Sequence, residues 1–230
     1  MGPREATQQL VTDAADQVEW LDEYSANVTV EGRAIRVVLP LFAVAGHRGV
    51  RVSGIHILVP LAQRPIEFDL GARGKVHFSM PTERTGDATF DERFIIHGIP
   101  IAPIVSAFDH DIRRWLERYF PDWPSLTTRD GSLQLWHQTV FQFGGETSPA
   151  AVREAFQWAG HIADRLVTEF DRAHMEAGRT SGPAAADQWL EDVQNAHGRR
   201  GRKRTMIRII VFGLLAALPI LAVVLTFLLG

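Results

Sequence analysis

The segment Ile209–Leu229 constrains this chain more than any other: twenty-one residues, from Ile-Ile-Val-Phe-Gly to Leu-Thr-Phe-Leu-Leu, without one charge. At 1.5 Å per residue a helix of that length spans about 31 Å, the thickness of a bilayer's hydrocarbon core. A helix buried in a soluble domain keeps a polar stripe, whereas Ile209, Leu214 and Leu229 belong to an apolar surface that runs all the way round. Gly213 and Pro219 weaken helices in water but are tolerated within membrane spans. The expectation is a C-terminal transmembrane helix within residues 206–230, with the lipid bilayer as a partner.

Two features set the expected orientation. Arg199, Arg200, Arg202, Lys203 and Arg204 lie just before the span, and clusters of positive charge stay on the cytoplasmic side. The first ten residues, Met-Gly-Pro-Arg-Glu-Ala-Thr-Gln-Gln-Leu, contain no apolar signal-peptide region. Only Gly230 follows the span, so the sequence reads as a single-pass tail anchor with its domain in the cytoplasm. The basic cluster also suits anionic headgroups, at about 1 kcal/mol per residue near the surface. Basic charge is almost all arginine, with only Lys75 and Lys203 as lysines, which fits a GC-rich bacterial genome and hence an inner-membrane location.

The rest of the chain has the composition of a globular domain: 46% of all residues are hydrophobic and 22% charged. There is no cysteine, which excludes disulfides, thiolate metal sites and cysteine nucleophiles. Residues 1–198 hold 18 basic and 27 acidic side chains, a net charge of −9 that argues against nucleic acid as a partner.

Periodicity predicts a helix over residues 5–23, then strands at Val28–Glu31 and Ala34–Leu39 about a Gly32-Arg33 turn. Further strands are expected at Val50–Leu61, Pro65–Leu70, Lys75–Met80 and Glu92–His97. One continuous apolar stripe, Ile104, Val105, Phe108, Ile112, Trp115, Leu116 and Tyr119, predicts a single helix. Leu126–Arg129 and Ser132–Gln138 flank Asp130-Gly131, a strong hairpin signal. A long helix begins at Ser148 or Pro149 and runs to about His174. The fold class expected is α+β, an antiparallel sheet with helices packed on one side. The domain occupies residues 1–174, and residues 175–205 read as a flexible linker with a short helix at Ala184–Ala196 and a basic end.

Candidate chemistry is sparse. Asp109 and Asp111 on the predicted helix point about 200° apart, so Asp109-His110-Asp111 cannot converge on an ion. His47, His56, His77 and His97 lack the close spacing of metal-ligand pairs. No phosphate-loop, dinucleotide, nucleophile-elbow or zinc-protease motif occurs. No catalytic residue, metal or cofactor is therefore expected. Trp115, Trp123, Trp136 and Trp189 are the candidate partner-binding aromatics, although the helical spacing of Trp115 and Tyr119 also suits a core.

Gly86-Asp87-Ala-Thr-Phe90-Asp91-Glu-Arg-Phe94-Ile95-Ile96 has a more particular look. It resembles the Gly-Asp-x-x-Phe-Asp-x-x-Phe-x-Val pattern of uncharacterised bacterial membrane-associated proteins, including the family labelled domain of unknown function 3137. There, too, the pattern precedes an apolar helix and a short hairpin, and the likeness covers Thr85 to Leu166. It departs in the anchor, since relatives often place membrane helices before the domain. The resemblance implies no activity. Asp87 and Asp91 read as turn and strand-start caps, with a functional carboxylate pair as the alternative.

These features favour a non-enzymatic domain that binds or organises a protein partner at the membrane. An accessory subunit packing Gly213, Ala216 and Ala217 against other spans is the alternative, and a tethered enzyme a second one.

Overall fold

A computed structural model describes residues 3–39, 41–43, 50–52, 54–72, 81–119, 126–138 and 148–199. Helix α1 (Pro3–Ala14) leads into β1 (Gln17–Trp20), β2 (Ser25–Val30), β3 (Arg33–Val38), β4 (Leu41–Ala43), β5 (Val50–Val52), β6 (Gly54–Pro60), β7 (Glu67–Ala72) and β8 (Thr82–Glu83). Then come α2 (Ala88–Arg93), β9 (Phe94–Ile99), α3 (Ile101–Ala107), α4 (His110–Tyr119), β10 (Leu126–Arg129), β11 (Ser132–Gln138) and α5 (Pro149–Ser181). A further helix, α6, covers residues 183–199. Nine strands form one sheet in the order β1-β2-β3-β6-β11-β10-β7-β9-β8, with every pairing antiparallel, and β4 pairs with β5. The class is α+β. Among the described residues no helix is long and apolar enough to cross a membrane, and Ile209–Leu229 lies outside them.

Two tight turns anchor the register. Glu31-Gly32 (φ 52° and 76°) joins β2 to β3, and Asp130-Gly131 (φ 51° and 72°) joins β10 to β11. Positive φ at both central residues is the hairpin turn whose twist matches the strands it joins. The central β6–β11 pair carries seven partnered positions, from Ser132↔Pro60 to Gln138↔Gly54. Gly54 permits this close approach: a Cβ there would meet the His137 carbonyl oxygen and the Trp136 ring, both at 2.6 Å.

Register then sorts the two faces. A row of directly paired residues, Ala26, Val37, Ile57, Leu135, Leu126, Leu70 and Ile96, crosses seven strands and is fully buried. Helix α5 lies over β2, β3, β6 and β11 on this side, flanked by α1 and α3. It contributes Val152, Ala155, Phe156, Ala159, Ile162, Ala163 and Leu166 to the core. The Ser148 hydroxyl caps its start by accepting from the Ala151 N–H, with Pro149 at the first position.

Several elements differ from the sequence-based expectation. The helix predicted to Glu23 ends at Ala14, because Val18 and Trp20 alternate as a strand and pair with Val28 and Ala26. The stripe from Ile104 to Tyr119 is two helices: at Asp109 the carboxylate accepts the Ile112 N–H and starts α4 afresh. Glu92 and Arg93 end a short helix instead of starting a strand. Gly71, which follows the strand expected at Pro65–Leu70, is buried inside β7, whose described partners are β9 and β10. Lys75–Met80 lies outside the described residues. The stretch from 175 onward, read as a linker, is helical to residue 199 apart from the break at Gly182. Val193 is 6% exposed and Trp189 packs on Phe170 at 5.0 Å, so α6 folds back onto the domain.

Candidate functional site

Asp87 and Asp91 both act on the turn that leads into α2. The Asp87 carboxylate accepts from the Thr89 and Phe90 N–H groups at 3.1 and 3.3 Å, capping α2. It also meets Arg113 of α4 at 3.3 Å, and the Phe90 N–H is the main reason its carboxyl lies below the usual range. Asp91 reaches backwards and accepts from the Thr85 N–H, the Thr85 hydroxyl and the Gly86 N–H at 2.9–3.0 Å. The two carboxylates therefore form a clasp that closes the 85–91 turn. Asp91→Ala strands three donors and is expected to destabilise the domain by about 1–3 kcal/mol in urea denaturation. Asp87→Asn keeps a capping acceptor and should change little. Equal losses from both would remove the clasp interpretation.

The candidate aromatics divide. Trp115 is 2% exposed and stacks between Tyr119 (4.3 Å) and Trp158 (5.3 Å). Trp189 is engaged by Phe170 and His174. Trp136 is half-buried on the other face of the sheet, edge-on to His56 at 4.4 Å. Trp123, His47, His77, Arg200, Arg202, Lys203 and Arg204 lie outside the described residues, while Arg199 is exposed at the end of α6. Large exposed apolar side chains among the described residues are Leu21 and Met175. Trp115 and Trp189 thus serve the fold's interior, because the α4 and α6 stripes that carry them face α5.

Three groupings were not legible in the sequence. The first is a polar row on the sheet face opposite the helices: Glu19, Asn27, Arg36, Leu58, Gln134, Thr127, Asp69, His97 and Thr82 are paired strand to strand across all nine strands. Only Leu58 interrupts it. Asn27 and Arg36 are exposed, Leu58, Gln134, Thr127 and Asp69 half-buried, and His97 is buried with Nδ1 3.0 Å from the Thr82 hydroxyl.

The second is a hydrogen bond between the Tyr119 hydroxyl and His137 Nδ1, at the far end of the aromatic stack. Burial pushes the phenol well above its ordinary value and pulls the imidazole down to about 4, so both stay neutral and the phenol donates. The third is Glu169 on α5, 3% exposed and held by Arg165 at 3.3 Å and by Arg172, with Arg165 also reaching Asp109 at 3.3 Å. A buried carboxylate needs such counter-charges to stay in place. No group of three or more His, Asp or Glu able to hold a metal ion occurs among the described residues.

No family model matches the chain, and no curated protein and no solved structure matches it.

Proposed function

We propose that this chain is a non-enzymatic module of a bacterial inner membrane, its acidic domain held on the cytoplasmic side by Ile209–Leu229, where it binds or organises a protein partner. The observation that supports this reading is the docking of α6. Because Trp189 and Val193 pack into the domain, the last turn of α6 is a fixed point about ten residues before the apolar run. Ten residues reach at most about 35 Å. The domain then rides next to the bilayer, with Arg199, Arg200, Arg202, Lys203 and Arg204 in the gap as a basic collar.

The partner surface in this reading is the sheet face opposite α5. Its polar row gives hydrogen-bonding specificity, and Leu58 and Trp136 supply apolar contact beside it. The full chain is expected to float with membranes and to resist alkaline extraction, and deletion of 209–229 should release it. A soluble full chain would end the membrane reading. A photo-cross-linking residue at Gln134 should give a protein adduct in membranes, and one at Met175 on the helical side should not. Equal adducts from both positions, or none from Gln134, would remove the sheet face as the partner site.

A further inference from the structure

Trp158, Trp115, Tyr119 and His137 form a continuous path that starts at the surface of α5 and ends inside the domain. Trp115 and Tyr119 are one helical turn apart on α4, which lays their rings on one face, 4.3 Å between centroids and 26° between planes. Trp158 of α5 stacks on Trp115 at 5.3 Å and 16°. It is half-buried, and the exposed His161 stands edge-on to it at 5.5 Å, so this end of the path borders solvent. At the inner end the Tyr119 hydroxyl bonds to Nδ1 of the buried His137.

In a chain without cysteine, indole and phenol are the side chains that give up a single electron most readily. A phenol does so only if its proton leaves as well, and that needs a base within hydrogen-bond reach. Neutral His137 offers its Nδ1 lone pair at that place. Burial weakens the imidazole as a base. A phenol radical cation is nevertheless a far stronger acid than an imidazolium, so the proton still moves.

We propose that this stack is a one-electron trap: a cationic outer-sphere oxidant, such as an oxidised metal complex, takes an electron at Trp158, and the oxidising equivalent comes to rest on Tyr119. The oxidant is reduced by one electron and Trp158 becomes an indole radical cation. Trp115 then gives an electron to Trp158, and Tyr119 gives one to Trp115. As the phenol loses its electron its O–H bond breaks, and the proton passes to His137 Nδ1. A neutral phenoxyl radical is left, hydrogen-bonded to an imidazolium. One electron has left the protein and one proton has moved within it. A cationic oxidant suits the domain because residues 1–198 carry a net charge of −9, which draws cations to the surface. The trap is a property of the domain and does not depend on the membrane reading.

Tyr24 is the only other tyrosine, so in the full-length Tyr24→Phe chain a phenoxyl signal can come only from Tyr119. That chain, in detergent micelles, is oxidised with flash-generated tris(bipyridyl)ruthenium(III), and transient absorption and electron paramagnetic resonance follow the radicals. An indole signal should appear first and decay into a phenoxyl signal. Trp158→Phe keeps a ring in the stack without an oxidisable indole and should lose most of the phenoxyl yield, whereas Trp20→Phe in β1 should change nothing. His137→Gln leaves the phenol an acceptor but no base, and phenoxyl should form about a hundredfold more slowly. Indole radicals that never pass to phenoxyl would show that the stack serves packing alone and would overturn the trap. A phenoxyl yield unchanged in Trp158→Phe, or a rate unchanged in His137→Gln, would do the same.

Discussion

Acidification from pH 7 to pH 4.5 is expected to cost the domain most of about 3 kcal/mol through His137 alone. Burial holds its imidazole down to about 4 in the folded protein, against an ordinary value of 6.5. Between those two values the unfolded chain binds a proton that the folded chain does not, so stability falls as the pH falls, and the loss is complete only below about 4. A gap of about two and a half pH units corresponds to roughly 3 kcal/mol. The structural reason is that His137 is 7% exposed, with Nδ1 occupied by the Tyr119 hydroxyl. Its Nε2 is buried without a hydrogen-bond partner among the described residues, so nothing there stabilises a positive charge.

The carboxylates whose values are lowered, Asp16, Asp22, Asp87 and Glu176, titrate below this window and contribute their own losses at lower pH. Urea midpoints of the wild type at pH 7, 6, 5 and 4.5 should therefore slope downward, and those of His137→Gln should slope much less. Parallel slopes would mean that the imidazole is not held neutral.

Phe156→Ala carries the other large effect, a loss of about 3–5 kcal/mol. Phe156 is completely buried on the face of α5 that lies over the centre of the sheet. Its neighbours along that face are Val152, Ala155, Ala159 and Ala163, so small side chains surround the one that fills the space. Alanines on a long helix have no reach with which to collapse into the gap, which places the cost toward the upper end of the range. Thermal or urea unfolding measures it. A loss below about 1.5 kcal/mol would show that α5 can settle onto the sheet.

Particular elements explain what the sequence revealed. The β10–β11 hairpin is legible because Asp130-Gly131 can supply two positive φ angles, and the strands on each side alternate. The start of α5 is legible because Ser148 and Pro149 are local signals. The break at Asp109 was hidden: the apolar stripe continues across it, and only the carboxylate's bond to the Ile112 N–H reveals a new helix start. Helix α2 was hidden by its length, six residues being too few for a helical period to stand out. In β1, Val18 continues the helical spacing of Val11 and Ala14 and also alternates with Trp20, and pairing with β2 decided between the two.

The sequence by itself determined what neighbours along the chain can decide: an α+β pattern, turn positions, an acidic domain, and an uncharged apolar run behind a basic cluster. Those properties depend on side-chain type and on spacing within a few residues. Only the tertiary structure decided which polar groups meet. Tyr119 and His137 are 18 positions apart, and His197 and Glu67 are 130 apart. The polar row on the face opposite α5 is drawn from nine strands, each fixed to the next by register. A shift of one residue in any strand would send that strand's contribution to the opposite face, which is why no local reading of the chain contains it.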